Sequence, residues 1–91
     1  IMFYIDSMPL DNPKGFSIKF ENGYTLSIQF GVGNYCSNRW KDWEEPTLSS
    51  KTAETAIIEP SGEFHEYKGD DVQGWQSPDE VAETITYIQS L

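Results

Sequence analysis

The segment "NYCSNRW", residues 34–40, contains the only cysteine and the only arginine of the chain. An arginine can bind a phosphate or a carboxylate through two parallel hydrogen bonds. Tyrosine and tryptophan rings stack on nucleobases, and asparagine amides bind polar edges. The sequence therefore predicts a ligand-binding loop with contacts from Asn34, Tyr35, Asn38, Arg39 and Trp40.

Two other interpretations of this segment stay open. Tyrosine, tryptophan and arginine also dominate the hot spots of protein–protein interfaces, so the same loop suits a protein partner. In a purely structural interpretation, Asn34 and Asn38 cap the turns of their own loop, and Arg39 pairs with one of the many acids. A buried ion pair between Arg39 and Asp70 or Asp71 would favour the structural interpretation.

Cys36 would need a neighbouring base and an electropositive environment to act as a nucleophile. His65 is the only histidine, and no spacing links it to Cys36. We expect Cys36 to be a small buried side chain and His65 to pack across a strand pair. No catalytic residue and no enzymatic activity are expected, with a thiol enzyme that uses Cys36 as an alternative.

Metal and cofactor chemistry is also weakly supported. A structural zinc site needs four cysteine or histidine ligands, and the chain has two such residues. Asp70 and Asp71 lack the spacing and the distal glutamate of a calcium loop. Gly31 and Gly33 follow a strand pattern, but no helix pattern comes after them as a phosphate-binding loop requires. We therefore expect no metal and no cofactor.

A second segment, "KGDDVQGWQSPDEV", spans residues 68–81. Its tryptophan lies two residues before the predicted start of a helix and is expected to anchor the first helical turn. Its two adjacent aspartates either pair with the arginine or cap a turn. The residues predicted to contact a partner are Trp43, Asp70, Asp71 and Trp75.

Alternating apolar and polar residues predict two β-hairpins, and these hairpins would hold the two candidate segments in place. In residues 16–30, a three-residue loop pairs Phe20 with Tyr24 and keeps one apolar face. In residues 52–67, a loop at Pro-Ser-Gly pairs Ile58 with Phe64, as well as Ile57 with His65. The segment "MFYID" predicts a further short strand, and residues 31–52 show no period.

The last fifteen residues predict a helix. Ser77 at the N-cap and Glu80 three residues later form a capping box, with proline at the first helical position. An apolar stripe follows at Val81, Ile85, Ile88 and Leu91. We therefore expect one small domain, residues 1–91, of the α+β class, with an antiparallel β-sheet of four to five strands packed by one C-terminal α-helix.

The composition limits the classes of partner. The net charge is −9, from 15 acidic and 6 basic residues, so direct nucleic-acid binding is not expected. An acidic surface serves solubility or fills a basic groove on a partner. A single cysteine indicates a reducing compartment, and "IMFYIDSM" predicts neither a signal peptide nor a membrane span. Oligomerisation stays open, because small domains have thin cores.

Two long motifs carry a resemblance to known proteins. They are "F-x-N-G-x-T-x-S-I-Q-F-G-x-G-N-Y-C-S-N-R", residues 20–39, and "D-D-V-x-G-W-x-S-P-D-E-V", residues 70–81. Together with the Pro-Ser-Gly hairpin between them, they resemble a group of small bacteriophage and prophage proteins without an assigned activity. The resemblance implies an accessory protein that acts in the cytoplasm of the bacterial host, and by analogy a counter-defence factor.

The first hypothesis is a non-enzymatic binding protein that sequesters a small anionic, nucleotide-like ligand, working as an oligomer whose subunits share a cleft. The alternative is an acidic protein inhibitor of a host nuclease or defence complex, of the anti-CRISPR or anti-restriction type. That alternative rests on the net charge of −9. A structural or packaging role in the virion remains a further alternative.

Overall fold

The computed structural model describes residues 1–5, 15–42 and 48–91. Within them, six antiparallel strands form one sheet and a single helix follows, which confirms the α+β class. The elements are β1 (Met2–Ile5), β2 (Gly15–Lys19), β3 (Thr25–Gln29), β4 (Ala53–Ile58), β5 (Phe64–His65), β6 (Val72–Gln76) and α1 (Pro78–Gln89). Strands β1 to β4 lie side by side in chain order, and β5 and β6 both pair with the remaining edge of β4.

The hairpin of β2 and β3 has the predicted register. Ile18 lies opposite Leu26, and the Phe20 N–H donates to the Tyr24 carbonyl at 2.9 Å. Gly23 has φ of 88°, the left-handed conformation that the three-residue loop requires. The alternation of apolar residues therefore set the pairing correctly.

The hairpin of β4 and β5 is also confirmed. Ile58 lies opposite Phe64, and Ile57 lies opposite His65. Gly62 closes the loop with φ of 92°. Strand β5 has only two residues, so most of this edge of β4 is left for another strand.

That strand is β6, which gives the described part of the sheet six strands instead of the expected four to five. Ala53 pairs with Gln76 and Thr55 pairs with Gln73, so β6 has one residue more than β4 between these pairs. This extra residue is a β-bulge, and it interrupts the period-two pattern by which a strand is recognised in a sequence. The alternation rule therefore could not reveal β6.

The helix begins with the predicted capping box. The Glu80 N–H donates to the Ser77 hydroxyl at 3.2 Å, and the Ser77 N–H donates to the Glu80 carboxylate at 2.9 Å. These hydrogen bonds, the backbone one foremost, hold the pKa of Glu80 below its ordinary value. The helix start is thus fixed by its own first turn.

The helix covers one face of the sheet. Ile88 is fully buried and packs with Leu26 and Ile57 of the central strands. The helix ends at Gln89, so Leu91 lies beyond it and is half-exposed. The predicted apolar stripe is therefore correct except for Leu91. The helix has 12 residues, and no helix in the described ranges is long and apolar enough to cross a membrane.

Candidate binding surface

The loop after β3 is closed by its own asparagines. The Asn34 side-chain oxygen accepts from the Gly31 N–H at 2.9 Å. The Asn38 amide donates to the carbonyls of Phe30 at 2.7 Å and Ser49 at 3.0 Å. Asn38 is only 3% exposed, so it is removed from the predicted ligand contacts. The two amides hold the loop together, as the structural interpretation of them expects.

Arg39 is in a different situation. Its guanidinium carbon lies 4.4 Å from the centre of the Tyr35 ring and 5.0 Å from that of Trp40. Its Nη1 donates to the Gly33 carbonyl at 2.7 Å. In the parts of the chain that the structure describes, no ion pair joins Arg39 to an acid. The buried pairing with Asp70 or Asp71, on which the structural interpretation of Arg39 depends, is absent from those parts.

Tyr35 links Arg39 to strand β6. The centres of the Tyr35 and Trp75 rings are 5.6 Å apart, and the Trp75 N–H donates to the Tyr35 carbonyl at 2.8 Å. The Tyr35 N–H in turn donates to the Glu54 carboxylate of β4 at 2.8 Å. The loop is therefore attached to two strands through the backbone of one residue.

Three of the rings in this region are open to solvent. The exposed fractions are 47% for Tyr35, 51% for Trp75 and 85% for Trp40. We call this group, together with the half-buried Arg39, the aromatic–arginine surface. It combines two segments whose contacting residues, Tyr35 and Trp75, are 40 residues apart in sequence, and both segments contain predicted site residues.

Trp75 has an unusual backbone conformation. Its φ is 49°, in the left-handed region that bulky residues rarely adopt. It sits in the bulge of β6, directly after Gly74, where an added Cβ would come within 3.0 Å of the Tyr35 Cβ. Bulges redirect side chains, and retained backbone strain is concentrated at functional sites. The local geometry thus leaves the Trp75 ring half-exposed beside Tyr35, and its packing on the first helical turn stays a prediction.

An open cleft of about 500 Å³ lies beside these rings. Its lining residues are Tyr35, Asp70, Val72, Gly74 and Trp75. The Asp70 carboxylate accepts from the Asp71 N–H at 2.8 Å, so part of its capacity is used to cap the turn before β6. Both predicted aspartates are exposed, and Asp70 belongs to the cleft. Trp43, the remaining predicted partner contact, lies outside the described residues.

The sequence interpretation missed two supports of this surface. Glu54 holds the Tyr35 backbone, and Gly74 allows the close approach of β6 to the loop. A lone glycine among strand-like residues is a recognised sign of a bulge or of close backbone contact. That sign was present at Gly74 in "VQGWQ", residues 72–76.

A second aromatic cluster lies at the other end of β4. His65 Nδ1 is 2.8 Å from the Glu59 carboxylate, and Nε2 is 2.7 Å from the Tyr87 hydroxyl. The Tyr67 ring stacks on Tyr87 at 4.4 Å, and Tyr24 meets the imidazole edge to face at 5.7 Å. In neutral His65, Nδ1 donates to the carboxylate and Nε2 accepts from the hydroxyl. This tyrosine–histidine cluster joins hairpin and helix, in agreement with the predicted packing role of His65.

Cys36 is 1% exposed, and its sulfur lies 3.6 Å from the Gly31 carbonyl. No base contacts it among the described residues, and the pattern is that of a packed thiol. Within the same ranges, no group of three or more histidine, cysteine, aspartate or glutamate side chains could hold a metal ion.

No protein-family model matches this chain, and no curated protein or solved structure is similar to it at a significant level. The resemblance of its motifs to bacteriophage proteins stays a prediction.

Proposed function

We propose that the chain is a non-enzymatic binding protein whose aromatic–arginine surface sequesters a small anionic, nucleotide-like ligand. One observation carries this proposal: the Arg39 guanidinium lies against two exposed rings, with no acidic partner in the described part of the chain. The Arg39 side chain donates to the Gly33 carbonyl, and within the described residues no carboxylate neutralises its charge.

The stacked guanidinium is suited to bind an anion. The Tyr35 and Trp40 rings lie against it, and one Nη1 hydrogen bond to the Gly33 carbonyl fixes its position. Cation–π contacts of this kind contribute about 0.5–1 kcal/mol at exposed sites. A guanidinium has five N–H donors in its plane, so donors remain for a phosphate or a carboxylate. Because the side chain is already ordered, less conformational entropy is lost when the ligand binds.

The neighbouring cleft supplies the other contacts that a nucleotide needs. Its volume of about 500 Å³ falls within the range of small-molecule sites. The Trp75 ring offers a stacking face, and a base stacked on an aromatic ring gains about 1–3 kcal/mol. The Asp70 carboxylate can accept hydrogen bonds from ribose hydroxyls. Because the Asp70 carboxylate beside the cleft repels phosphate groups, we expect a ligand that carries only one or two of them.

Calorimetry against a panel of cyclic and linear nucleotides tests the proposal. Wild type should bind at least one member, Arg39→Ala should weaken that binding at least about tenfold, and Arg39→Lys should restore only part of it. Lysine keeps the charge but lacks the planar fork, so it is the matched control. No heat with any member, at protein concentrations above ~100 μM, would remove nucleotides of that panel from the proposal.

A second candidate, an acidic inhibitor of a host nuclease or defence complex, is favoured by a different observation. Trp40 is 85% exposed and does not line the cleft. An exposed tryptophan of this kind is typical of an anchor residue that fills a pocket on a partner protein. The net charge of −9 suits a basic groove on the partner. Pull-down from host lysate should then capture a partner that Trp40→Ala loses and that high salt releases. If Trp40→Ala still captures the partner, the partner does not bind through Trp40 of the aromatic–arginine surface.

The counter-defence role and the host cytoplasm rest on the resemblance to bacteriophage proteins and stay predictions. Phage growth on a defended host connects them to the surface. If the protein benefits the phage, Arg39→Ala should lose the benefit, whereas Cys36→Ser should keep it. Loss with Cys36→Ser and retention with Arg39→Ala would favour the thiol enzyme instead.

A further inference from the structure

The two edges of the sheet differ in how they are protected. The edge formed by β5 and β6 has a two-residue strand, a bulge and several exposed acids, which are Glu63, Glu66, Asp70 and Asp71. Short strands, bulges and charges are the usual means by which proteins prevent edge-to-edge pairing. This edge is therefore closed to another strand.

The opposite edge, β1, has none of these features. Its four residues pair with β2 without a bulge and carry neither a charge nor a proline. The side chains of Met2, Phe3 and Tyr4 are exposed, with Phe3 at 76% and Met2 at 58%. In an acidic chain, two copies of an uncharged apolar edge strand can pair without repulsion between charges on the strand itself.

The direction of the β1 backbone follows from the hairpin beside it. The Phe20 N–H donates to the Tyr24 carbonyl, so Phe20 turns its polar groups toward β3. Along an antiparallel strand these directions alternate from one residue to the next. Ser17 and Lys19 therefore turn their backbone groups toward β1.

Lys19 lies opposite Met2, and Ser17 lies opposite Tyr4. Met2 and Tyr4 thus form the ladder with β2, and the N–H and C=O of Phe3 point away from the sheet. In the described parts of the chain, no strand pairs with this outer side of β1. Beside it lies a groove of about 560 Å³, whose apolar lining includes Phe3, Ile18 and Phe20.

We propose that β1 pairs with β1 of a second copy of this chain, antiparallel, about a two-fold axis through Phe3. The N–H and C=O of each Phe3 then bond those of the other, and Met2 lies opposite Tyr4. A two-fold interface must be self-complementary, and an uncharged strand that carries both donor and acceptor at its centre fulfils this requirement. A partner that depended on charge would find no charged group on this strand to recognise.

The pairing covers surface that a single copy leaves open. The two Phe3 side chains meet across the interface beside the grooves, and each buried phenyl ring contributes to association through its apolar area. The sheet becomes continuous across the two copies. The aromatic–arginine surface lies with β6 on the far side of β4, so this inference is independent of the proposed function.

Sedimentation of the full chain, with charge-swap variants, tests the pairing. Wild type at ~100 μM should have twice the 10.4 kDa mass of one chain. Phe3→Lys and Phe3→Glu should each raise the dissociation constant at least about tenfold, because like charges then lie opposite each other. Mixing the two variants should restore the dimer. Phe64→Lys changes another exposed phenylalanine, 55% exposed on the other edge, and as the matched control it should leave the dimer intact.

Amide exchange gives a second readout that needs no variant. The Phe3 N–H should become protected as the wild-type concentration rises, whereas that of Met2 should be protected throughout. A wild-type monomer with an unprotected Phe3 amide would overturn the proposal and leave β1 to a strand from another protein. A dimer that survives both Phe3→Lys and Phe3→Glu would place the interface elsewhere and equally overturn it.

Discussion

The protein holds two aromatic clusters, each built around a nitrogen-containing side chain, and they differ in what their polar atoms do. In the tyrosine–histidine cluster, both nitrogens of His65 have hydrogen-bond partners, Glu59 and Tyr87. In the aromatic–arginine surface, Arg39 has one backbone acceptor and no acid among the described residues, and its neighbouring rings are exposed. Within the described residues, the histidine has a side-chain partner at each nitrogen, whereas the arginine has no acidic partner.

This difference separates stability from binding. Polar groups that bond each other within the chain contribute to the free energy of folding, because removing one group leaves the other without its hydrogen bond. Exposed rings beside an ordered cation contribute little to the free energy of folding, and their open faces can still contact a ligand. The clusters should therefore respond in opposite ways to substitution.

The largest effect is expected at Tyr87. Tyr87→Ala removes the ring stacked on Tyr67 and the hydrogen bond to His65, and should lower the free energy of unfolding by about 3 kcal/mol. Urea denaturation measures this. Tyr87→Phe, which keeps the ring, should lose about 1 kcal/mol. Equal losses for the two variants would show that packing contributes nothing at this position.

The second effect concerns the strain at Trp75. Glycine adopts its φ of 49° without cost, whereas alanine does not. Trp75→Gly should therefore be more stable than Trp75→Ala by about 1 kcal/mol in urea denaturation, the reverse of the order in ordinary strands. Both variants should weaken ligand binding equally. If alanine is the more stable substitution, the left-handed conformation carries no strain.

A similar loss of stability is expected at the helix start, where the capping box also makes the stability depend on pH. Ser77→Ala should lower the free energy of unfolding by about 1 kcal/mol at neutral pH. Because the folded pKa of Glu80 lies below its unfolded value, the contribution of the ionised carboxylate is present above about pH 4 and is lost as the pH falls further. Titration by NMR should show the pKa of Glu80 rising partway toward its ordinary value in Ser77→Ala, because the hydroxyl is lost and the backbone N–H of residue 77 remains. An unchanged pKa would show that the Ser77 hydroxyl does not act on the Glu80 carboxylate.

Much of the fold could be predicted from the sequence, because the relevant interactions are local. Alternation and loop length determined both hairpins, and the capping box lies within four residues. Strand β6 could not be predicted, since its bulge disrupts the pattern. The contact of Tyr35 with Trp75 depends on that strand, and the contact of His65 with Tyr87 spans 22 residues.

The sequence could not assign a separate role to each residue of the predicted site, for a physical reason. Residue types that bind ligands also hold loops together, and the sequence does not show which role each side chain has. Asn34 and Asn38 bind the backbone of their own loop, whereas Arg39 and Trp40 remain available. Only the folded loop separates the two roles.

The most direct test of the comparison is the unfolding free energy of the double variant Arg39→Ala and Trp40→Ala, measured by urea denaturation. If the aromatic–arginine surface serves binding, the double variant should lose no more than about 1 kcal/mol, the amount expected for its exposed cation–π contacts. A loss of more than about 2 kcal/mol would place this surface in the fold beside the tyrosine–histidine cluster, and would contradict the account.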